Sequence, residues 1–201
     1  MNLVADQILE IVPLIGIDYS MSNLTFDDRK CIHSTNCDRP NEYRDLLQAL
    51  QKSFKLVAPS ALFYGCGANS VKGITEVSDL FVGTGDLLNP VVATDNLEKE
   101  YYAAFSRIEI NLPVNFAKLL EKALDFAEKS LEHYHKDEHG HSLTYFTVFV
   151  FCAGIIDDTD KCVQQLARAL NLPISITIVQ IKPDSPEIDV SRLLKKCEWL
   201  L

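Results

Sequence analysis

A basic surplus is the first thing this chain lacks. Its 201 residues carry 19 Lys+Arg against 28 Asp+Glu, a formal net charge of −9, and the pI lies near 5.0. Such a chain has no stripe of cations to displace the counterions of a nucleic acid, so no nucleic-acid partner is expected. For the same reason direct membrane binding by this chain alone is not expected. Long apolar runs are also missing. The longest, Phe146 to Ile156, falls far below the ~20 residues that span a bilayer. The beginning of the chain lacks a basic stretch followed by an apolar one, so no secretory signal is expected and the protein is placed in the cytoplasm. Its six cysteines, Cys31, Cys37, Cys66, Cys152, Cys162 and Cys197, include no pair at the two-residue spacing of a zinc knuckle or redox site. Cys66 and Cys152 sit in apolar runs and read as small buried hydrophobes, free thiols of a reducing compartment.

Catalytic signatures are absent as well. There is no G-x-S-x-G nucleophile turn. Gly65-Cys66-Gly67 and Gly83-Thr84-Gly85 lack the spacing of a phosphate cradle opening a helix. Asp157-Asp158-Thr159-Asp160 lacks the Gly and distal Glu of a calcium loop, and reads as an N-cap cluster for a helix starting at Thr159. His133, His135, His139 and His141 offer imidazoles at a density that suits zinc or nickel. Their setting among Lys136, Asp137 and Glu138 reads as a solvated loop.

What is present is enough apolar residue for one sizeable core. Hydrophobic residues make up 47% of the chain, which excludes disorder throughout. Residues 1–201 read as a single domain, with a helical lead-in over 1–10, a core over 11–190 and a C-terminal helix over 187–201. The spacing of Leu3, Val4, Ile8 and Ile11 predicts a helix over 2–11. Val12 to Ile17 is a strand buried on both faces, with Pro13 expected at its start. Ser20 to Asp38 reads as a polar loop holding a short strand at 31–33. Tyr43, Leu46, Leu47, Leu50 and Phe54 form the stripe of a helix over 40–56, with Asn41 or residues 37–38 as its cap.

Further along, Ala61 to Tyr64 is a strand and 69–96 is irregular. A short helix covers 97–105, an alternating strand 106–112 and a long helix 114–134. Leu143 to Ala153 carries the densest β-branched and aromatic run. A helix over 159–170, a strand over 174–181 and a helix over 186–199 follow. Alternation of strands and helices predicts an α/β, doubly wound, mostly parallel six-stranded sheet with helices on both faces. The runs 12–17, 143–153 and 174–181 are expected at or near its centre. Ligands of such folds bind beyond the carboxyl ends of the strands, which directs attention to residues 18–23, 65–69, 113–116 and 153–160.

The first of these turns reads Asp18-Tyr19-Ser20-Met21-Ser22-Asn23. A carboxylate and two hydroxyls at alternate positions can converge on a hard cation, although a polar turn closing a strand uses the same residues. Gly16-Ile17-Asp18-Tyr19-Ser20-Met21-Ser22-Asn23 resembles the opening motif of the copine-type von Willebrand factor A (vWA) domain. Arg39-Pro40-Asn41-Glu42-Tyr43, Pro113-Val114-Asn115-Phe116, Gly154-Ile155-Ile156-Asp157-Asp158 and Leu172-Pro173-Ile174-Ser175-Ile176-Thr177-Ile178-Val179 match later segments in order. The resemblance runs from about residue 11 to 190 and implies a Rossmann-like vWA fold.

It also implies a metal-ion-dependent adhesion site at Asp18, Ser20 and Ser22. In that site Val114 stands where the family has Thr, and Ala153 where it has Asp. A carboxylate ~4 Å from a cation contributes ~4 kcal/mol per unit charge at an effective dielectric of ~20, about three decades in affinity. The departures therefore imply a degenerate site with Mg²⁺ or Ca²⁺ weak or absent, with Asp157 and Asp158 as auxiliary acidic residues. Functionally the resemblance implies a non-enzymatic interaction module with protein partners at the C-terminal edge of the sheet. Other domains of a longer protein would place it peripherally at membranes. One alternative is the substrate-recruiting vWA domain of a copine-like RING ubiquitin ligase. Another is a Mg²⁺-dependent hydrolase or phosphotransferase using Asp18.

Overall fold

A computed structural model describes residues 9–20, 33, 41–69, 80–86, 88–110, 114–136, 142–153 and 156–181. The elements are β1 (Leu9–Asp18), α1 (Glu42–Phe54), β2 (Ser60–Cys66), β3 (Ala68–Asn69), β4 (Phe81–Val82), β5 (Val91–Ala93), α2 (Leu97–Phe105), β6 (Glu109–Ile110), α3 (Ala117–Lys136), β7 (Leu143–Cys152), α4 (Thr159–Ala169) and β8 (Ile174–Gln180). Six of the strands form one sheet in the order β4-β2-β1-β7-β8, with β5 also on β2. The β1–β2, β1–β7 and β7–β8 pairings are parallel, and β4 and β5 run antiparallel to β2. The expected α/β architecture is the one observed.

Alternation along β1 sends its side chains to two separate cores. Ile15, Ile17 and Tyr19 pack with Tyr43 and Leu47 of α1 and with Leu97, Tyr101 and Ala104 of α2. Leu14 packs on the other face with Leu119, Leu120 and Ala123 of α3 and Cys162 of α4. Helices thus cover both faces, as a sheet of apolar parallel strands requires. Gly16 lies on the α3 side, where a Cβ would overlap the Leu119 side chain. Its lack of a side chain sets how closely α3 approaches the centre of the sheet.

Several expectations need correction. Residues 9–11 belong to β1, not to a helix, since Leu9 and Ile11 pair with Leu143 and Tyr145. Ladder formation with the most strand-prone run in the chain outweighs their local helical spacing; residues 1–8 lie outside the described part. Pro13 sits inside β1, opposite Thr147, while pairing with β2 begins at Leu14. A position with one neighbour leaves a side where the missing N–H costs no ladder bond. Among the described residues the alternating run 106–112 yields the two residues of β6, which pair with β3 in a separate two-stranded sheet; residues 111 and 112 lie outside the described part. Among the described residues β8 has β7 as its one neighbour, and Ser175 and Thr177 are exposed. The near-central place expected for that strand is not seen. Of the short strand expected at 31–33, His33 lies in a turn; Cys31 and Ile32 are outside the described residues, as is the helix expected over 186–199.

Candidate functional site

The ends of β1, β2 and β7 meet at Asp18. Its side chain is fully buried and is held from two directions. Oδ1 accepts the Ser20 N–H at 2.8 Å, and Oδ2 accepts the Ala153 N–H at 3.1 Å. The first bond is an Asx turn, local to the chain. The second spans two loops, so the carboxylate ties the end of β1 to the end of β7. The Tyr19 N–H donates to the Cys66 carbonyl at 2.8 Å, which adds β2 to the junction. Gly67 closes this arrangement with φ +76°, and a Cβ there would lie 2.7 Å from the Ser20 Cβ and 2.9 Å from its nitrogen. Only glycine fits both the backbone conformation and the space.

Of the other expected positions Ala153 meets Asp18 directly, and the rest take different roles. Val114 is buried and bridged to Ile156, and its carbonyl accepts the Asp157 N–H at 3.1 Å. Ala153 contributes its N–H and a buried methyl. The side chain of Asp158 does not cap its own helix, contrary to the expected N-cap cluster. It reaches across to α3, accepting the Phe116 N–H at 3.0 Å and the Ala117 N–H at 2.7 Å. These are the unpaired donors that open a helix, where a carboxylate also meets the positive end of the dipole. The Cys162 thiol donates to the same carboxylate at 3.3 Å. Asp157 is exposed, and Ser22 lies outside the described residues. Among the described residues, no three His, Cys, Asp or Glu are grouped to hold a metal ion. Cys66, Cys152 and Cys162 are buried. Burial, and then the charge of Asp18, pushes the Cys152 thiol up to about 12. His133 ends exposed on α3, while His139 and His141 lie outside the described residues.

Sequence reasoning missed His33. It reads as one more polar-loop residue, yet it is 3% exposed and seals the underside of the Asp18 turn. Its ring stacks on Tyr43 at 4.2 Å and 24° and on Tyr19 at 5.4 Å and 13°. Nε2 lies 2.9 Å from the Asp18 carbonyl oxygen and Nδ1 2.7 Å from the Tyr101 hydroxyl. A carbonyl can only accept, which assigns the proton to Nε2. Nδ1 is then the acceptor for Tyr101, whose oxygen in turn receives the Asn41 Nδ2–H at 3.3 Å. Asn41 also caps α1 by accepting the Arg44 N–H at 2.9 Å. A directed chain of bonds therefore runs from the start of α1 to the end of β1. Burial lowers the His33 pKa to about 3, partly offset by the bond to Asp18. Burial likewise raises the Tyr19 and Tyr43 hydroxyls well above their usual range. No local pattern announces such a residue, since its partners lie up to 68 positions away.

Comparison with known proteins bears on the same region. A family described as Copine matches residues 31–193. Two nematode proteins, each named Nicotinic receptor-associated protein 1, are similar over 174 residues. The one from Caenorhabditis elegans is 27% identical, covering 83% of this chain and 25% of the relative. The one from Caenorhabditis briggsae is 26% identical, covering 83% and 26%. Copine-A of Dictyostelium discoideum is 25% identical over 171 residues, 84% of this chain and 27% of that protein. The chain thus spans about a quarter of the length of these relatives.

Proposed function

The chain belongs to the copine family, and from that premise we propose that it is a protein-interaction module whose partner docks at the carboxyl ends of β1, β2 and β7. The observation that carries this reading is the internal bonding of Asp18. Both of its oxygens are engaged by backbone N–H groups from two different loops, so the face is held in shape by the chain itself. A face pre-shaped in this way loses little conformational freedom on binding. The nematode relatives are named for association with a receptor, which supports a protein as the partner class. The relatives' greater length leaves room for other domains to bring the module to membranes.

The adhesion site in this face is degenerate. A hard dication takes six or more oxygen ligands, with carboxylates supplying the charge. Val114 and Ala153 offer no side-chain oxygen, and Asp158 is bound to the start of α3. The described residues, Asp18 and Ser20, do not fit a tightly held Mg²⁺ or Ca²⁺. Cation binding at physiological concentration is weak or absent, and no step of function passes through it.

Partner capture tests the reading. The purified chain is immobilised and offered the cytoplasmic segments of a nicotinic receptor, with Asp157→Arg as the variant. Asp157 is exposed beside the junction, so the substitution reverses a charge on the face without opening the core. Capture should fall by up to about fivefold, chiefly through slower association at low salt. Equal capture by wild type and variant would move the docking surface elsewhere. No capture of these segments would exclude this partner.

A further inference from the structure

A second surface lies away from Asp18, where α3 runs past the edge strands β4 and β5. A groove of about 590 Å³ opens there. Leu62 and Tyr64 of β2 and Val82 of β4 form its floor, Leu88 its rim, and Lys122 and Phe126 of α3 its far wall. Leu88 is 94% exposed and Val91 beside it 49%, so large apolar side chains stand in water at the mouth. Among the described residues the lining carries two polar side-chain groups, the Lys122 ammonium and the Tyr64 hydroxyl, and no carboxylate. The ammonium lies 5.0 Å over the Phe126 ring and pairs with no carboxylate among the described residues. Burial raises the Tyr64 hydroxyl above its usual range, and at neutral pH it keeps its proton and can donate, as an ordinary tyrosine does. In a chain of net charge −9 this is an apolar depression whose described residues offer one cation and one hydroxyl and no anion.

We propose that this groove is a docking site for an apolar segment of a partner protein that carries a carboxylate among its leucine-like side chains. The carboxylate meets Lys122 and Tyr64, and the apolar side chains cover Leu62, Val82 and Phe126. A segment of protein fits better than a lipid acid because the groove is open along the sheet edge. There β4 and β5 pair only with β2 among the described residues, and their outer main chain can bond an extended peptide. The proposal rests on the chain being an interaction module, but it places a surface distinct from the Asp18 face.

The test is a heteronuclear NMR titration of the labelled chain with an acetylated, amidated Leu-Leu-Asp-Leu-Leu peptide, its Asn counterpart, and laurate. The acidic peptide should shift the amides of Val82, Val91 and Phe126 and bind about fivefold tighter than the Asn peptide, the scale of one solvent-accessible ion pair at ~4 Å. Lys122→Gln should erase that difference, and Leu88→Asp, at an exposed position, should weaken both peptides. Absence of shifts would overturn the proposal, as would shifts confined to Ser20 and Ala153, or saturation by laurate alone. Concentration-dependent dimerisation that blocks the peptide would reassign the groove to a second copy of the chain. Groove binding that survives Asp157→Arg while partner capture falls separates this site from the one above. Capture without groove binding overturns this proposal alone.

Discussion

Acidification should destabilise the fold through His33. In the native state the imidazole is neutral, because its Nε2–H is committed to the Asp18 carbonyl and its ring is stacked between Tyr19 and Tyr43. Its pKa falls from 6.5 to about 3 on folding, with burial as the leading cause. Between those values the unfolded chain binds a proton that the folded chain refuses, so stability falls as the pH falls. Above pH 6.5 the contribution is fully present. Below it, the loss approaches 1.36 kcal/mol per pH unit, about 2 kcal/mol at pH 5 and at most about 5 kcal/mol by pH 3. Urea unfolding at pH 7.5, 6.0, 5.0 and 4.5 measures this loss. His33→Phe keeps an aromatic ring in the stack but cannot titrate. It should be less stable at pH 7.5, having lost two hydrogen bonds, and should decline less between pH 6.5 and 5 by about 2 kcal/mol. The difference between the two proteins isolates His33 from carboxylates that titrate in the same range. Parallel pH profiles for wild type and variant would refute the sealed, neutral imidazole.

Further substitutions and a metal titration probe the junction. Gly67→Ala places a Cβ against Ser20 at a positive φ and should cost about 2–4 kcal/mol in urea unfolding. Asp158→Ala removes the acceptor for two opening N–H groups of α3 and should cost about 2 kcal/mol, with Asp158→Asn recovering part of it. Wild type should gain little melting temperature in millimolar Mg²⁺, since ligand equal to its Kd adds only about 0.4 kcal/mol. Ala153→Asp with Val114→Thr should be less stable than wild type without metal and should rise with it, as scanning calorimetry would show. Equal metal responses would mean that these two positions do not face the cation.

The elements that were legible in the sequence are those whose signal is local and long. The stripe of α1, its Asn41 cap and the apolar run of β7 each repeat over several turns or residues, and α2 appears over its full range. β4 and β5 were not legible. Two or three residues cannot carry a period, and those segments are extended because β2 offers them an edge. The same competition explains residues 9–11, where a helical spacing of four apolar residues gave way to nine register pairs with β7. Local propensity decides an element only when no ladder of that length competes for the same residues.

The candidate site shows where motif reading stops. The turn after β1 was found from its residue types, and the meeting of Ala153 with Asp18 follows from the parallel pairing of β1 and β7. What each residue does there depends on geometry that residue type does not encode. A carboxylate at position 158 serves as metal ligand, local cap or distant cap according to where the neighbouring helix begins. It caps α3 because Phe116 and Ala117 present two unpaired N–H groups within 3.0 Å. The apolar side chain at 153 likewise does not leave Asp18 without a donor on that side. The backbone N–H of Ala153 takes one of its oxygens at 3.1 Å, a neutral dipole on a buried carboxylate. This arrangement keeps the loops together without a cation. It also makes building a cation site here costly, because a second carboxylate at 153 would enter beside a buried negative charge. Metal must then compensate both charges, so the double substitution and the wild type should respond to Mg²⁺ with different magnitude, and only the former should depend on it for full stability.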